Sequence, residues 1–195
     1  MDRVTRPSSF VAWLLAALAC LSGASCIERP PSSRDSRTKF DRSALSDVLL
    51  SGVPSAARRL GANFGGIVEL SGLDVTPASP HPGDVVTISY YLKVLDDVDE
   101  DYKVFVHADG RGGQERINGD HWPARGRYPT SAWRKGEVVR DTFTLQVPSY
   151  FAGVAIDVWT GFYVPSKDER APLVNRTEIQ HDGQNRALAI TLPVR

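Results

Sequence analysis

The chain has 195 residues, 42% hydrophobic and 24% charged, and its 23 Lys and Arg balance 23 Asp and Glu. That length supports one ordinary domain with a short extension, and zero net charge gives no electrostatic footprint for nucleic acid, where a basic face would be expected. Thirteen Pro, sixteen Gly and frequent β-branched residues point to a loop-rich β protein, not to a coiled-coil, collagenous or disordered chain.

Residues 1–25 read as a lipoprotein signal peptide. Arg3 and Arg6 form a positive n-region, Phe10 to Leu21 an uncharged run of twelve, and Ser22-Gly23-Ala24-Ser25 supply small residues before Cys26. Twelve residues fall short of the roughly 20 needed to cross a hydrocarbon core of about 30 Å. A Cys directly after such a site resembles the lipobox of bacterial lipoproteins, where it becomes the lipidated first residue. Ala24-Ser25-Cys26 fit the last three positions, with Gly23 where that family usually has Leu. Cys20, after Ala17-Leu18-Ala19, competes as the processed site, although cutting there splits the apolar run. Residues 27–195 contain no further Cys, which excludes disulfides, thiol nucleophiles and Cys-based metal sites there. Ile27 stands where Asp retains some lipoproteins at the inner membrane, so by that analogy the address is the outer membrane.

Residues 26–40 mix Pro-Pro, Ser-Ser and alternating charges and are expected to be a flexible tether. Residues 41–63 are expected to be a short helical segment. Leu45, Val48 and Leu49 fall at i, i+3 and i+4, Gly52 and Pro54 stop the run, and Ala56 to Leu60 adds a turn closed by Gly61.

From 64 to 195 the period becomes two. Strands are predicted at 67–75, with a bulge at Ser71-Gly72, and at 85–95, with Val86, Ile88, Tyr90, Leu92 and Val94 on one face. More follow at 102–107, then at 115–118 across a Gly-rich hairpin. The stretch 119–135 is the longest connection. The strand 137–147 alternates Val139, Asp141, Phe143, Leu145 and Val147; further strands lie at 154–164 and 187–194, with Leu173-Val174 as a short edge piece. Seven to eight strands with no helix between them predict an all-β, antiparallel, immunoglobulin-like β-sandwich. A closed barrel is the alternative.

Pro82-Gly83-Asp84 before a strand, then Val104-Phe105-Val106-His107, then Tyr128-Pro129-Thr130 with Trp133, Gly136 and Asp141 at fixed spacing form an ordered series. It resembles an extracytoplasmic bacterial β-sandwich module, found as a C-terminal appendage of multi-pass membrane glycosyltransferase-like proteins and as a stand-alone exported or lipoprotein domain. The resemblance covers residues 64–194 and implies a sandwich outside the cytoplasm. No activity travels with it, and without a multi-pass region no transferase function does either.

Two groups of residues carry chemistry. His107, Asp120, His121 and Asp141 are either a polar cluster pinning the long loop to the sandwich or, through His107, Asp120 and His121, a metal-dependent or hydrolytic centre. Their spacing matches no metal motif and HExxH is absent. Trp122, Tyr128 and Trp133, with Arg125 and Arg127, are either core and rim or a binding surface for a sugar ring or an anionic partner. The expected protein is thus a non-enzymatic, lipid-anchored envelope lipoprotein without cofactor. It acts as a binding or assembly module for a protein or envelope polysaccharide, or alternatively as a structural spacer. Intact mass of the protein extracted from its native membrane is expected to show a chain beginning at Cys26 with added acyl groups, and Cys26→Ala to abolish them.

Overall fold

The computed structural model describes residues 33–55, 57–112 and 115–195; the signal peptide, Cys20, Cys26 and the first part of the expected tether lie outside them. A short helix α1 (Ser33–Lys39) precedes β1 (Leu49–Leu50), β2 (Arg58–Phe64), β3 (Val68–Thr76), β4 (Val85–Val94), β5 (Lys103–Arg111) and β6 (Arg116–Asn118). Two 3₁₀ turns follow (Pro123–Gly126 and Thr130–Ala132), then β7 (Val138–Gln146), β8 (Ala155–Val164), β9 (Glu169–Arg170) and β10 (Ala187–Pro193).

Antiparallel pairing builds one sheet in the order β1-β7-β4-β3-β2 and a second in the order β10-β8-β5-β6. The second sheet gains β9, which pairs with β8 at Tyr163 and Val164, beyond the end of β10. This is the antiparallel sandwich that the alternating pattern predicts. Alternation decides which side chains meet between the sheets. From β4 the buried face is Val86, Ile88, Tyr90, Leu92 and Val94; facing it are Val104, Val106 and Ala108 of β5 and Ile156, Val158 and Phe162 of β8. Phe64 of β2 meets Phe162 of β8 across the interior, their ring centroids 5.3 Å apart. A register shift between Leu70 and Gly72 places a bulge at the expected position in β3.

The N-terminal segment departs from expectation in two places. Ser33–Lys39, inside the expected tether, is helical and held by charge. Arg37, only 7% exposed, donates to Asp97 at 3.0 Å, to the Val98 carbonyl at 2.8 Å and to Asp99 at 3.1 Å. Residues 41–63 are not a helical segment. Leu45 and Val48 are buried as their spacing suggests, but the helical hydrogen bonds stop after one turn. The chain then supplies β1 and β2. β2 reads poorly as a strand because Arg58, Arg59, Gly61 and Asn63 have weak β preference. Pairing with β3 makes it one, with a shift between Arg59 and Ala62. With β9 and these two strands the total reaches ten among the described residues, above the seven to eight expected. Leu173 makes only an isolated bridge with Phe64.

The 119–135 connection contributes two aromatic rings to the core. Tyr128 and Trp133 are completely buried. The Tyr128 hydroxyl donates to Glu137 at 2.6 Å, and Trp133 Nε1–H donates to the Tyr128 carbonyl at 3.1 Å. Phe40 packs on Tyr128 at 5.2 Å, and the Arg42 guanidinium lies over both rings. Trp133→Ala is therefore expected to cost about 3–5 kcal/mol, measured by urea unfolding of the full chain.

A candidate site on the 119–129 corner

Residues 119–121 extend the outer edge of the second sheet. Gly119 N–H donates to Val106 O, and His121 and Val104 exchange two backbone hydrogen bonds at 3.0 Å. Between them the Asp120 side chain accepts from Val106 N–H at 2.9 Å, standing in for a backbone carbonyl. The chain then crosses to β7 in the first sheet, where Asp141 receives it. Asp141 is fully buried; one oxygen lies 2.8 Å from His121 Nε2, and the other accepts from Ala124 N–H at 2.9 Å.

The protonation of His121 follows from its partners. Nδ1 lies 2.6 Å from the Gly119 carbonyl, which can only accept, and Nε2 faces a carboxylate. Nδ1 therefore carries a proton and the carboxylate favours a second one on Nε2, with the ring 4.5 Å from the Phe143 ring. Burial pulls its pKa down, but the Asp141 carboxylate and the Gly119 carbonyl outweigh burial and hold it above the ordinary value.

His107 is the opposite case. Its Nδ1 is 3.2 Å from Arg186 Nη1, which can only donate, so Nδ1 accepts and Nε2 carries the proton toward Asp120, 3.8 Å away. Burial lowers its pKa, and the nearby Arg116 and Arg186 act in the same direction against the Asp120 and Asp109 carboxylates. The two histidines are thus shifted in opposite directions, His121 toward the charged ring and His107 toward the neutral one.

The four residues of the polar group separate into two pairs, His121–Asp141 and His107–Asp120. Both ring nitrogens of His121 are engaged, and among the described residues no three His, Cys, Asp or Glu side chains converge as metal ligands. The His121–Asp141 pair joins the loop to β7 in the first sheet, and the His107–Asp120 pair lies along the edge of the second.

The Ala124 N–H held by Asp141 begins a turn with three consecutive positive φ values: Ala124 at 51°, Arg125 at 58° and Gly126 at 77°. Only the glycine adopts this region freely; the two other residues store about 1–3 kcal/mol each. Pro123 and Ala124 are buried while Arg125, Gly126 and Arg127 are exposed. Sequence gives no sign of this turn, because neither Ala nor Arg marks a left-handed backbone.

The proposed aromatic surface therefore divides. Tyr128 and Trp133, buried, are not available to a ligand, because the corner needs their rings as core. Trp122 remains 42% exposed, with the Lys103 ammonium 5.5 Å from its ring centroid. It borders an open cleft of about 240 Å³ with Pro123, Gly126, Pro129 and Asp101. Arg125 and Arg127 border a second cleft on the same turn. Neither a protein-family profile nor a curated protein matches the sequence. Fold and site together define an all-β sandwich with a rigid, strained corner presenting one indole and two arginines.

The His121–Asp141 pair generates a signed pH dependence. A histidine whose folded pKa is raised contributes stability fully below the unfolded value of 6.5 and loses it as pH rises through the folded pKa. His107, lowered, loses its contribution as pH falls instead. Stability is expected to decline on both sides. Asp141→Asn should abolish the alkaline decline, leave the acid one, and cost about 3–5 kcal/mol overall by leaving the buried His121 without its carboxylate; urea melts across pH 5–9 measure both effects.

Proposed function

We propose that the chain is a lipid-anchored envelope protein whose sandwich binds an envelope polysaccharide at the 119–129 corner. The observation that carries this reading is Trp122. On a corner where Tyr128 and Trp133 are wholly buried, this one indole is left outside, its edge bounded by Pro123 and Pro129 and its π-face near Lys103. A flat aromatic face held by rigid neighbours takes the C–H face of a sugar ring at little conformational cost. Asp101 beside it is an acceptor for sugar hydroxyl groups. The neighbouring turn is over-determined by the buried ion pair, which suits a surface held ready for its ligand.

The anchor rests on the n-region, the twelve-residue apolar run and Cys26 after four small residues. Among the described residues no helix is long and apolar enough to cross a membrane. Because α1 is docked on the sandwich from Ser33, six residues, 27–32, separate it from Cys26. Ile27 after the Cys supports an outer-membrane address.

Co-sedimentation of the full chain with polysaccharide isolated from its own envelope tests the reading. Trp122→Ala is expected to weaken retention more than tenfold, as removal of a central aromatic anchor does. Unfolding free energy should stay within about 0.5 kcal/mol of the parent, as for other exposed positions. Unchanged retention in Trp122→Ala would remove the corner as the binding surface.

A further inference from the structure

A second cleft, of about 170 Å³, borders the strained turn; Asp47, Ala124, Arg125, Arg127, Arg140 and Thr142 line it. Three guanidinium groups against one carboxylate leave a local excess of positive charge in a chain whose net charge is zero. Two of the arginines are fixed by the protein. Arg127 forks onto Asp47, with Nη1 3.1 Å from Oδ1 and Nη2 2.5 Å from Oδ2. Arg140 directs Nε and Nη2 at the Asp47 carbonyl oxygen, the former at 2.9 Å.

Arg125 differs from both. Among the described residues its guanidinium has no hydrogen-bond or ion-pair partner. Its backbone is nevertheless held at a positive φ that an arginine does not choose, by Asp141 on the preceding N–H and by the Gly126 N–H bond to the Trp122 carbonyl. A free cation on a strained, internally braced backbone is arranged for something outside the protein. A guanidinium offers planar, paired donors that match the oxygens of a phosphoryl or carboxylate group. Trp122 lies three residues away on the same turn and borders the adjoining apolar cleft with Gly126.

We propose that this arginine cleft is a subsite for an oxyanion, phosphoryl or carboxylate, carried by the saccharide whose ring stacks on Trp122. The inference rests on the polysaccharide reading and adds the chemistry that selects the ligand: an anionic sugar over a neutral one. Arg125 supplies the new ion pair, while Arg127 and Arg140, already positioned by Asp47, supply the surrounding field.

Calorimetric titration of the full chain in detergent with glucose 6-phosphate, glucuronate and glucose tests the subsite. At least one of the two anionic sugars is expected to bind saturably and at least tenfold more tightly than glucose, and raising the salt should narrow the gap. Arg125→Gln should erase that preference, a loss of about tenfold, with an unchanged melting temperature because the exposed Arg125 side chain makes no hydrogen bond or ion pair among the described residues. Arg134→Gln, an exposed arginine of the same loop outside the cleft, should leave the preference within twofold. No preference for either anionic sugar, or an equal loss in the two variants, overturns the subsite. Tighter, Arg125-dependent binding to phosphatidylglycerol vesicles than to either sugar overturns the saccharide assignment and gives the cleft to a lipid headgroup. The two readings fail separately. If Trp122→Ala releases the polysaccharide while Arg125→Gln changes nothing, the binding corner stands without its oxyanion site. Arg125-dependent capture of glucose 6-phosphate without polysaccharide retention keeps the cleft and removes the polymer.

Discussion

One buried ion pair sets the constraint that the rest of the corner obeys. Asp141 is a carboxylate with no exposed surface, sitting on a β-strand beside Phe143. A charge in that position is tolerated only if its oxygens are matched, and two groups match them: the His121 ring and the Ala124 N–H. His121 is backbone-paired to β5 in one sheet, and Asp141 belongs to β7 in the other. The pair thus ties the two sheets at one edge and dictates the path of the chain between them. The left-handed turn at 124–126 follows directly, because Asp141 captures the first N–H of that turn. So does the exposure of Trp122 just before it and of Arg125 within it.

The spaced residues Tyr128, Thr130, Trp133, Gly136 and Asp141 each have a structural task. The Thr130 hydroxyl donates to Glu100 O and accepts from Tyr102 N–H, tying the acidic loop to the corner. Gly136 takes a φ of 90° in the turn that feeds β7. Tyr128 and Trp133 fill the space between that turn and the N-terminal segment. These residues build a scaffold. The surface with chemical potential lies between and beside them, at Trp122, Arg125 and Arg127. Loops on rigid scaffolds commonly divide their labour this way.

Legibility followed the type of force at each position. The strands of the two central layers could be read because alternating burial is written in the side chains themselves: Val139, Asp141, Phe143, Leu145 and Val147 fall on one face whatever they pack against. The N-terminal segment was misread because its placement depends on partners distant in sequence. Arg37 is buried by ion pairs to residues about sixty positions away, and no apolar period reports such an interaction. Leu45, Val48 and Leu49 have helical spacing, yet Leu49 and Leu50 pair with β7, a partner about ninety positions away that local spacing does not report. Of Trp122, Tyr128 and Trp133, which ring stays outside is decided by how the loop folds back over β7.

From the sequence alone come the expectation of an export signal ending at Cys26, the absence of Cys beyond it, the antiparallel sandwich class and the residues able to form a polar cluster. These depend on composition, local spacing and period, which a linear chain displays directly. The tertiary structure alone decides the pairing of the four polar residues, the opposite pKa shifts of two histidines, the strained turn and the convergence of Arg125, Arg127 and Arg140. Each of these requires groups from different strands to meet at distances near 3 Å, and the electrostatics of burial act only after the chain has closed around them.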